Sequence, residues 1–287
     1  MQPWDRLDDA ELDRQYNARA SVPSYDAEHA KYVAASDRVR AEFPRLTLRY
    51  DSDSGQTLDF YPAAAADAPL FVWIHGGYWR AGSSADNAFA VRGPLAQGFA
   101  VAVIDYALAP AAGIDEIIRQ VRAAIAALHR DRDRLGIAPG PFAVGGSSAG
   151  GHLVGMLLAD GWQAPLGLPA DIVGTGLALS GLHWIAPLKR TQINGWMGFD
   201  DGQIARNSPA LQIPARTAAH LIAAAGGRET DEFRRQTADY AAAWQAAGHA
   251  ATVVPMPHHN HFDIALTLSE PDGALVRTLV ATHRSVR

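Results

Sequence analysis

Six short, continuous apolar runs constrain the fold of this chain more than any other feature of its sequence. The first is Leu70–His75 (LFVWIH), and the second is Phe99–Asp105 (FAVAVID). The others are Phe142–Gly145, Val173–Ser180, His220–Ala225 and Ala251–Pro255. Runs of this length without polar alternation are typical of parallel strands that are buried on both faces of a sheet. We therefore expect these segments to form the centre of a parallel sheet.

Helical patterns separate most of these runs. Ile114–His129 carries apolar side chains at a spacing near 3.6 residues. Glu229–Ala247 is predicted to be another helix, ended by Gly248, and Leu266–His283 a last one, interrupted near Pro271. Because strands that alternate with helices need crossover connections, the pattern predicts an α/β protein with helices on both faces of a mostly parallel sheet.

The beginning of the chain has a different pattern. Residues 5–43 are polar and predicted to be helical up to Pro44, so residues 1–44 are interpreted as an N-terminal helical extension. Leu46–Asp51 and Thr57–Tyr61 alternate apolar and polar residues around a Ser-Gly turn, which indicates a β-hairpin at one edge of the sheet. We expect the whole chain, 1–287, to form a single domain.

The segment 182–211 departs from the alternation of strands and helices. It has weak periodicity and carries the large apolar residues Trp184, Trp196, Met197 and Phe199. Insertions between strands often cover a sheet and carry function, so we interpret this segment as a cap or pocket wall. The alternative is an irregular crossover whose aromatic side chains belong to the core.

Composition and charge argue against several classes of function. The 287 residues include no cysteine, so disulfides, a cysteine nucleophile and thiolate metal sites are excluded. A net charge of −5 gives no electrostatic reason to expect nucleic acid or an anionic membrane as partner. The first residues lack the apolar core of a signal peptide, and no apolar stretch is long enough to span a membrane. We expect a cytoplasmic protein, and the sequence leaves open whether it forms a homodimer.

The glycine-rich stretch VGGSSAGGH, residues 144–152, lies directly between an apolar run and an apolar helical segment. It lacks the lysine of a P-loop and the spacing of a dinucleotide-binding fingerprint. Gly146–Gly150 instead matches the G-x-S-x-G turn that presents a nucleophilic serine between a strand and a helix. The match places Ser148 at its centre, and Ser147 fits less well. The alternative is a tight turn without chemistry.

A second glycine motif, HGGYW, follows the first apolar run and begins at His75. In this position a glycine-rich loop can turn its backbone N–H groups towards a reacting carbonyl oxygen. We expect the amides of Gly76 and Gly77 to bind an oxyanion, together with that of Ala149 at the start of the helix after Ser148. The alternative is an ordinary glycine turn after a strand.

An acid and a histidine have to follow the serine in chain order. Glu229 comes directly after a predicted strand and is the favoured acid, and Asp231 is the second candidate. The alternative for either residue is that it only stabilises the N-terminus of a helix. His261 precedes the apolar run FDIAL and is favoured as the base over His258 and His259. These three histidines lack the accompanying ligands of known metal motifs, so a metal site is not expected.

Ser148, Glu229 and His261 together suit acyl transfer. His261 would take the proton of Ser148 and pass it to the leaving group, while Glu229 would fix the imidazole tautomer and stabilise its cation. The competing interpretation from another class is a non-catalytic protein that uses the same fold to bind a ligand.

Several segments resemble the α/β-hydrolase fold, and the closest resemblance is to the serine-type kynurenine formamidase (arylformamidase) branch, near the hormone-sensitive-lipase-like esterases. The fold-level motifs are HGGYW at 75–79, DYALAP at Asp105–Pro110, GSSAGGHL at 146–153 and NHFDI at 260–264. The branch-level segments are RQYN at 14–17, LSGLHWIAPLKRTQIN at Leu179–Asn194, Ser208-Pro209 and GGRETDEFRRQ at Gly226–Gln236. The resemblance runs from about residue 12 to residue 268.

The resemblance implies a hydrolase of small acyl groups, such as the formyl group of an arylformamide or the acyl group of a short-chain aryl ester. It assigns the triad to Ser148, Glu229 and His261 and implies no cofactor. Glu229 departs from the aspartate of better-known members, which keeps Asp231 open as the acid. The segment LSGLHW is a second departure, because relatives often carry an aspartate after the aromatic or aliphatic residue in this segment. We expect this difference to alter the shape or polarity of the pocket.

Four aromatic residues near these motifs are candidates to line an aromatic substrate pocket, although each can equally belong to the core. They are Tyr78, Trp79, Trp184 and Trp196. We therefore expect a small-molecule substrate, and an aromatic one. The residues do not decide between a formamide and an ester, so a general short-chain carboxylesterase or amidase stays an alternative.

Overall fold

The computed structural model describes residues 2–286, within which the strands form one eight-stranded sheet. The strands are β1 Leu46–Arg49, β2 Thr57–Tyr61, β3 Leu70–Ile74, β4 Ala100–Ile104, β5 Phe142–Ser147, β6 Val173–Leu179, β7 His220–Ala224 and β8 Ala251–Val253. Their order across the sheet is β1-β2-β4-β3-β5-β6-β7-β8. β2 is antiparallel to β1 and to β4, and the other neighbouring pairs are parallel. The expected parallel sheet with a hairpin at its edge is confirmed.

Helices connect the strands and flank the sheet. The α-helices are α1 Asp9–Tyr16, α2 Tyr25–Glu42, α3 Arg92–Ala96, α4 Ile114–Arg130, α5 Arg132–Leu135, α6 Ala149–Leu158, α7 Asn194–Met197, α8 Asp201–Asn207, α9 Asp231–Ala246, α10 Asp263–Leu266 and α11 Ala274–Val286. Short 3-10 turns are Pro3–Arg6, Ala18–Ser21, Ala85–Val91, Ala164–Leu166, Ala186–Arg190, Pro209–Leu211 and Thr267–Ser269. None of the helices in residues 2–286 is long and apolar enough to cross a bilayer.

The central strands β3 to β7 are buried on both faces, which explains their unbroken apolar runs. In β3, Leu70, Val72 and Ile74 pack into one core with residues of α4, α6 and α9. The alternate side chains Phe71 and Trp73 pack into a second core with residues of α2 and α11. Each fully buried side chain of this size stabilises the fold by about 1.5–3 kcal/mol. The helices on both faces therefore fix the ends of the strands, where the candidate residues lie.

The N-terminal helices contact the segment 182–211. The Arg190 guanidinium pairs with Asp9 at 2.8 Å and donates to Leu7 O at 2.7 Å. The amide of Gln192 donates to Asp13 Oδ1 at 2.7 Å. These bonds hold two segments that are far apart in the sequence against each other.

The segment 182–211 combines the two structures that its sequence left open. Its side chains Met197 and Phe199 are buried in the core, as the crossover interpretation expects. Gln192 and Trp196 instead line a cavity, as expected for a pocket wall.

Candidate active site

Ser148 occupies a strained turn between β5 and α6. Its backbone has φ 57° and ψ −116°, a combination that costs of the order of 1–3 kcal/mol in a residue with a side chain. The turn is tight: a Cβ on Gly150 would lie 2.1 Å from Ile74 O, and a Cβ on Gly146 would lie 2.5 Å from Gly150 O. The Ser148 amide donates to Leu179 O at 2.8 Å, which ties the turn to β6. These contacts explain why small residues flank Ser148 on both sides.

Glu229 and His261 form a buried pair. His261 Nδ1 lies 2.6 Å from Glu229 Oε2, and the Glu229 side chain is 0% exposed. Because an ionised carboxylate only accepts hydrogen bonds, Nδ1 carries the proton and Nε2 is left as the basic nitrogen. The second carboxylate oxygen accepts hydrogen bonds from Ser180 Oγ at 2.6 Å and from the Gly226 amide at 2.5 Å. Residues that follow β6 and β7 thus hold the acid in one orientation towards the histidine.

The alternative acid and the alternative bases lie elsewhere. Asp231 begins α9 with its side chain 77% exposed and pairs with Arg234. His258 is exposed, and His259 Nδ1 lies 3.3 Å from Asp263 Oδ1. The structure brings Glu229, and not Asp231, to His261. In the described part of the chain, the His, Asp and Glu side chains form no group of three that could hold a metal ion.

The loop after β3 runs beside Ser148. A Cβ on Gly76 would lie 3.3 Å from Ser148 Cβ, and Gly77 has φ +107°, where a Cβ would lie 2.1 Å from Ala81 O. The amides of Gly76, Gly77 and Ala149 donate to no other group within residues 2–286. Three backbone donors are therefore available in the immediate surroundings of Ser148.

Three residues of the HGGYW and DYALAP motifs support this loop from behind. His75 is fully buried, its Nδ1–H donates to Gly76 O at 2.8 Å, and burial lowers its pKa. Its ring stacks on Tyr106 at 4.2 Å, and the Tyr106 hydroxyl donates to His75 O at 2.9 Å. Asp105 accepts from the amide and the hydroxyl of Ser84 at 2.6 and 2.7 Å. Sequence reasoning assigned these residues to motifs but missed this supporting role.

A cavity of about 760 Å³ opens onto these groups. Gly76, Gly77, Ser148 and His261 all line it. Its volume lies within the range of roughly 300–1,000 Å³ that is usual for small-molecule sites. The wall also contains the aromatic and charged side chains Tyr16, Arg19, Tyr25, His29, Tyr32, Tyr78, Arg80, Asp86, Trp196 and Phe262.

Two of the four aromatic residues expected in the pocket line the cavity, and two do not. Tyr78 and Trp196 line it, and Trp196 Nε1 donates to Tyr78 O at 3.2 Å. The expectation for Trp79 and Trp184 was wrong. Trp79 follows Tyr78 in a tight turn and points into the core, where it is 0% exposed. Trp184 packs against Trp4 with ring centroids 6.3 Å apart, outside the cavity.

The N-terminal extension supplies much of the cavity wall, which sequence reasoning missed. Residues 16–20 line the cavity together with Tyr25, His29 and Tyr32 of α2. The RQYN segment at 14–17 was a signal, because it belongs to the resemblance yet lies far from the other motifs in sequence. Its polar helical pattern alone predicts no contact with the site.

Ser148 and His261 line the same cavity without a hydrogen bond between Ser148 Oγ and the imidazole. Such contacts often form only when substrate is bound. His152, four residues after Ser148, is fully buried, and its Nε2–H donates to Asn207 O at 2.7 Å. Burial lowers the pKa of His152 to about 4. His152 does not line the cavity, so it is not placed to act on a substrate there.

The comparisons with known proteins agree with this architecture. Residues 58–162 match the BD-FAE family model. Kynurenine formamidases from Salmo salar and Danio rerio are each 26% identical to the chain, over 98% of both sequences. A solved structure from Silicibacter sp. TM1040 is similar with a TM-score of 0.81 and 28% identity, covering 94% of this chain and 98% of that one. A Pyrobaculum calidifontis esterase shares the fold at 16% identity, with a TM-score of 0.74 and coverage of 97% and 98%. The chain therefore has an α/β-hydrolase fold and is similar to kynurenine formamidases over nearly its full length, as its sequence indicated.

Proposed function

We propose that the chain is a serine hydrolase that cleaves a small acyl ester or an arylformamide through an acyl-enzyme on Ser148. The observation that carries this proposal is the buried Glu229–His261 pair, 2.6 Å apart, which opens onto the same cavity as the strained Ser148. Kynurenine formamidases among the relatives and esterases among the structural neighbours support this reaction class.

In the first step, Ser148 Oγ attacks the carbonyl carbon of the substrate while His261 Nε2 takes the hydroxyl proton. The electron pair of the C=O bond moves to the oxygen, and the imidazole becomes a cation. Glu229 stabilises that cation through Nδ1–H. Ser180 and Gly226 keep the carboxylate in place by donating to its other oxygen.

The oxyanion forms beside the backbone donors of the site. The free amides of Gly76, Gly77 and Ala149 are available to bind it, and Ala149 also lies at the N-terminus of α6, where the helix dipole favours negative charge. Each donor of this kind typically contributes about 10²–10³ in kcat. The strained turn at Ser148 and the left-handed Gly77 hold these donors in position before substrate arrives.

Collapse of the tetrahedral intermediate breaks the bond to the leaving group. His261 Nε2–H gives its proton to the leaving nitrogen or oxygen, which departs as amine or alcohol. Water then repeats the sequence: His261 takes one of its protons, the remaining hydroxide adds to the acyl carbon, and Ser148 Oγ leaves with the proton returned. The products are the amine or alcohol and the carboxylic acid.

The cavity wall favours an aromatic substrate. Tyr25, Tyr32, Tyr78, Trp196 and Phe262 all line it, so an aromatic ring would meet flat apolar surfaces on several sides. This supports an aromatic amine or alcohol as the leaving group and a small acyl group such as formyl. The cytoplasmic location and the absence of nucleic-acid and membrane partners, expected from the sequence, stay predictions.

Steady-state kinetics on two substrates tests the proposal. We expect the protein to hydrolyse N-formylkynurenine or p-nitrophenyl acetate, and the ratio of the two kcat/KM values identifies it as a formamidase or an esterase. Ser148→Ala should abolish hydrolysis of both. Ser147→Ala, a matched change at the adjacent serine, should retain it. Hydrolysis that survives Ser148→Ala would contradict the proposal.

A further inference from the structure

The loops that carry Gly77, Glu229 and His261 share one structural feature. Each is hydrogen-bonded to residues 9–42, here called the N-terminal cover, which consists of α1, the 3-10 turn after it and α2. In each loop the bond is made at the residue that directly follows a group of the site. Those residues are Tyr78 after Gly77, Thr230 after Glu229, and Phe262 after His261.

The bond beside Glu229 uses a hydroxyl that would otherwise cap a helix. Thr230 is the N-cap residue of α9, yet its side chain does not cap that helix. Thr230 Oγ1 instead donates to Gln15 O at 2.6 Å. Gln15 Oε1 accepts from the Glu232 amide at 3.2 Å, which takes over the capping of the first turn. The N-terminal cover thus fixes the first turn of α9 directly behind the acid.

The bond beside His261 comes from α2. The Tyr32 hydroxyl donates to Phe262 O at 2.7 Å, while its ring packs on Phe89 with centroids 4.5 Å apart. Burial raises the pKa of Tyr32 far above its usual range, so the hydroxyl stays a neutral donor at any working pH. Glu28 of the same helix accepts a longer bond of 3.4 Å from the side chain of Asn260.

The bond beside Gly77 is made by Tyr78, whose backbone is strained. Tyr78 has φ 51°, in the left-handed region that a residue with a side chain rarely adopts. Its hydroxyl donates to Tyr16 O in the N-terminal cover, and its carbonyl accepts from Trp196 Nε1 at 3.2 Å. Strained residues persist only where their surroundings over-determine them. The N-terminal cover supplies part of that constraint next to Gly77.

We propose that the N-terminal cover is a positioning element of the reaction: Thr230, Tyr32 and Tyr78 link it to the acid, the histidine and the oxyanion loop, and these links hold the three groups in register with one another. The inference rests on the proposed function. Its physical basis is that the acid, the base and the amide donors lie on separate loops, and misplacing a reacting group by about 1 Å can cost as much as 10²-fold in rate.

Three variants that each remove one hydroxyl and keep the side-chain shape test the inference. They are Thr230→Val, Tyr32→Phe and Tyr78→Phe. Tyr61→Phe is the matched tyrosine control. Tyr61 lies on β2, and its buried hydroxyl makes no hydrogen bond to the residues that the structure describes. Thr278→Val is the matched threonine control, because the Thr278 hydroxyl on α11 donates to Ala274 O of its own helix, away from the site.

The measurement is kcat per active site, with active sites titrated by a fluorophosphonate. We expect Thr230→Val to lower kcat about 10-fold with KM changed less than about twofold, and both controls to match the wild type. Tyr32→Phe and Tyr78→Phe should lower kcat as well and can also change KM, since both side chains line the cavity. The downfield proton resonance of the His261 Nδ1–Glu229 hydrogen bond should shift in Thr230→Val and Tyr32→Phe only.

A purely structural role gives a different result. It would reduce the number of titratable sites and the thermal midpoint, but leave kcat per site and the downfield resonance unchanged, and that result overturns the inference. Should one variant fail to fold, the other two still decide. The outcome is separable from the proposed function: if the wild type is active through Ser148 while all three variants keep their kcat per site, only the positioning role is wrong.

Discussion

Ser180 Oγ lies 2.6 Å from Glu229 Oε1, the carboxylate oxygen that His261 does not use. Ser180 follows β6 and is itself held at φ 49°, so β6 contributes to the orientation of an acid that follows β7. The Gly226 amide, at 2.5 Å, is the other donor to this oxygen. The acid is therefore fixed from two neighbouring strand ends before it meets the histidine.

Ser180→Ala removes one of these donors while keeping a Cβ at the same backbone angles. A hydrogen bond to a buried charged group is worth about 1.5–3 kcal/mol, so part of the orientation of Glu229 should be lost. We expect kcat/KM on p-nitrophenyl acetate to fall about 10-fold with KM little changed. An unchanged kcat/KM would mean that the Gly226 amide alone orients the carboxylate.

A pair of isosteric amide substitutions separates the two acids. Glu229→Gln removes the negative charge beside His261 Nδ1 and allows the wrong tautomer, so kcat should fall by about 10³–10⁴. Asp231→Asn makes the same chemical change on an exposed side chain that pairs with Arg234, and kcat should stay within about twofold. The reverse pattern would assign the role of acid to Asp231.

Gly77→Ala tests the oxyanion loop. At φ +107° a Cβ would lie 2.1 Å from Ala81 O, so the loop has to move and its amides with it. We expect kcat to fall about 10²-fold or more. Gly98→Ala is the control, since Gly98 has φ +87° but no atom within 4 Å of the added Cβ. That variant should lose some thermal stability and keep its kcat; equal losses of kcat in both would contradict the role of the loop.

The fully buried His152 predicts a loss of stability in acid. Its pKa is lowered from 6.5 to about 4 by burial, so the unfolded chain takes up a proton at a higher pH than the folded one. The free energy of unfolding should be constant with respect to this group above pH 6.5 and fall towards about pH 4, by about 3 kcal/mol. Urea unfolding across this range measures the slope. His152→Gln should make the slope less steep, and an unchanged slope would assign it to other groups such as the buried His75 and His183.

The central strands could be predicted from the sequence because burial on both faces leaves a continuous apolar run along each of them. The site was harder, since it depends on which way side chains point from short turns. Glu229 and Asp231 are two residues apart after the same strand, yet one is buried against His261 and the other is exposed. Tyr78 and Trp79 are adjacent, yet only Tyr78 reaches the cavity.

The role of the N-terminal extension lay beyond local patterns for a different reason. Its residues read as polar helices, and nothing in that pattern indicates what the helices cover. The Tyr32 hydroxyl reaches Phe262 O across 230 positions of sequence. Contacts of this range come from the packing of the complete fold, so only the structure places these residues beside the site.

Labelling with a fluorophosphonate, read out by peptide mass spectrometry, tests the central claim most directly. The reagent modifies only a serine that a neighbouring base and oxyanion donors activate. We predict one adduct per chain, on Ser148, with no adduct in Ser148→Ala and at least a 10²-fold slower reaction in the Glu229→Gln and His261→Gln variants. A folded protein that stays unlabelled, or an adduct on another residue, would contradict the account.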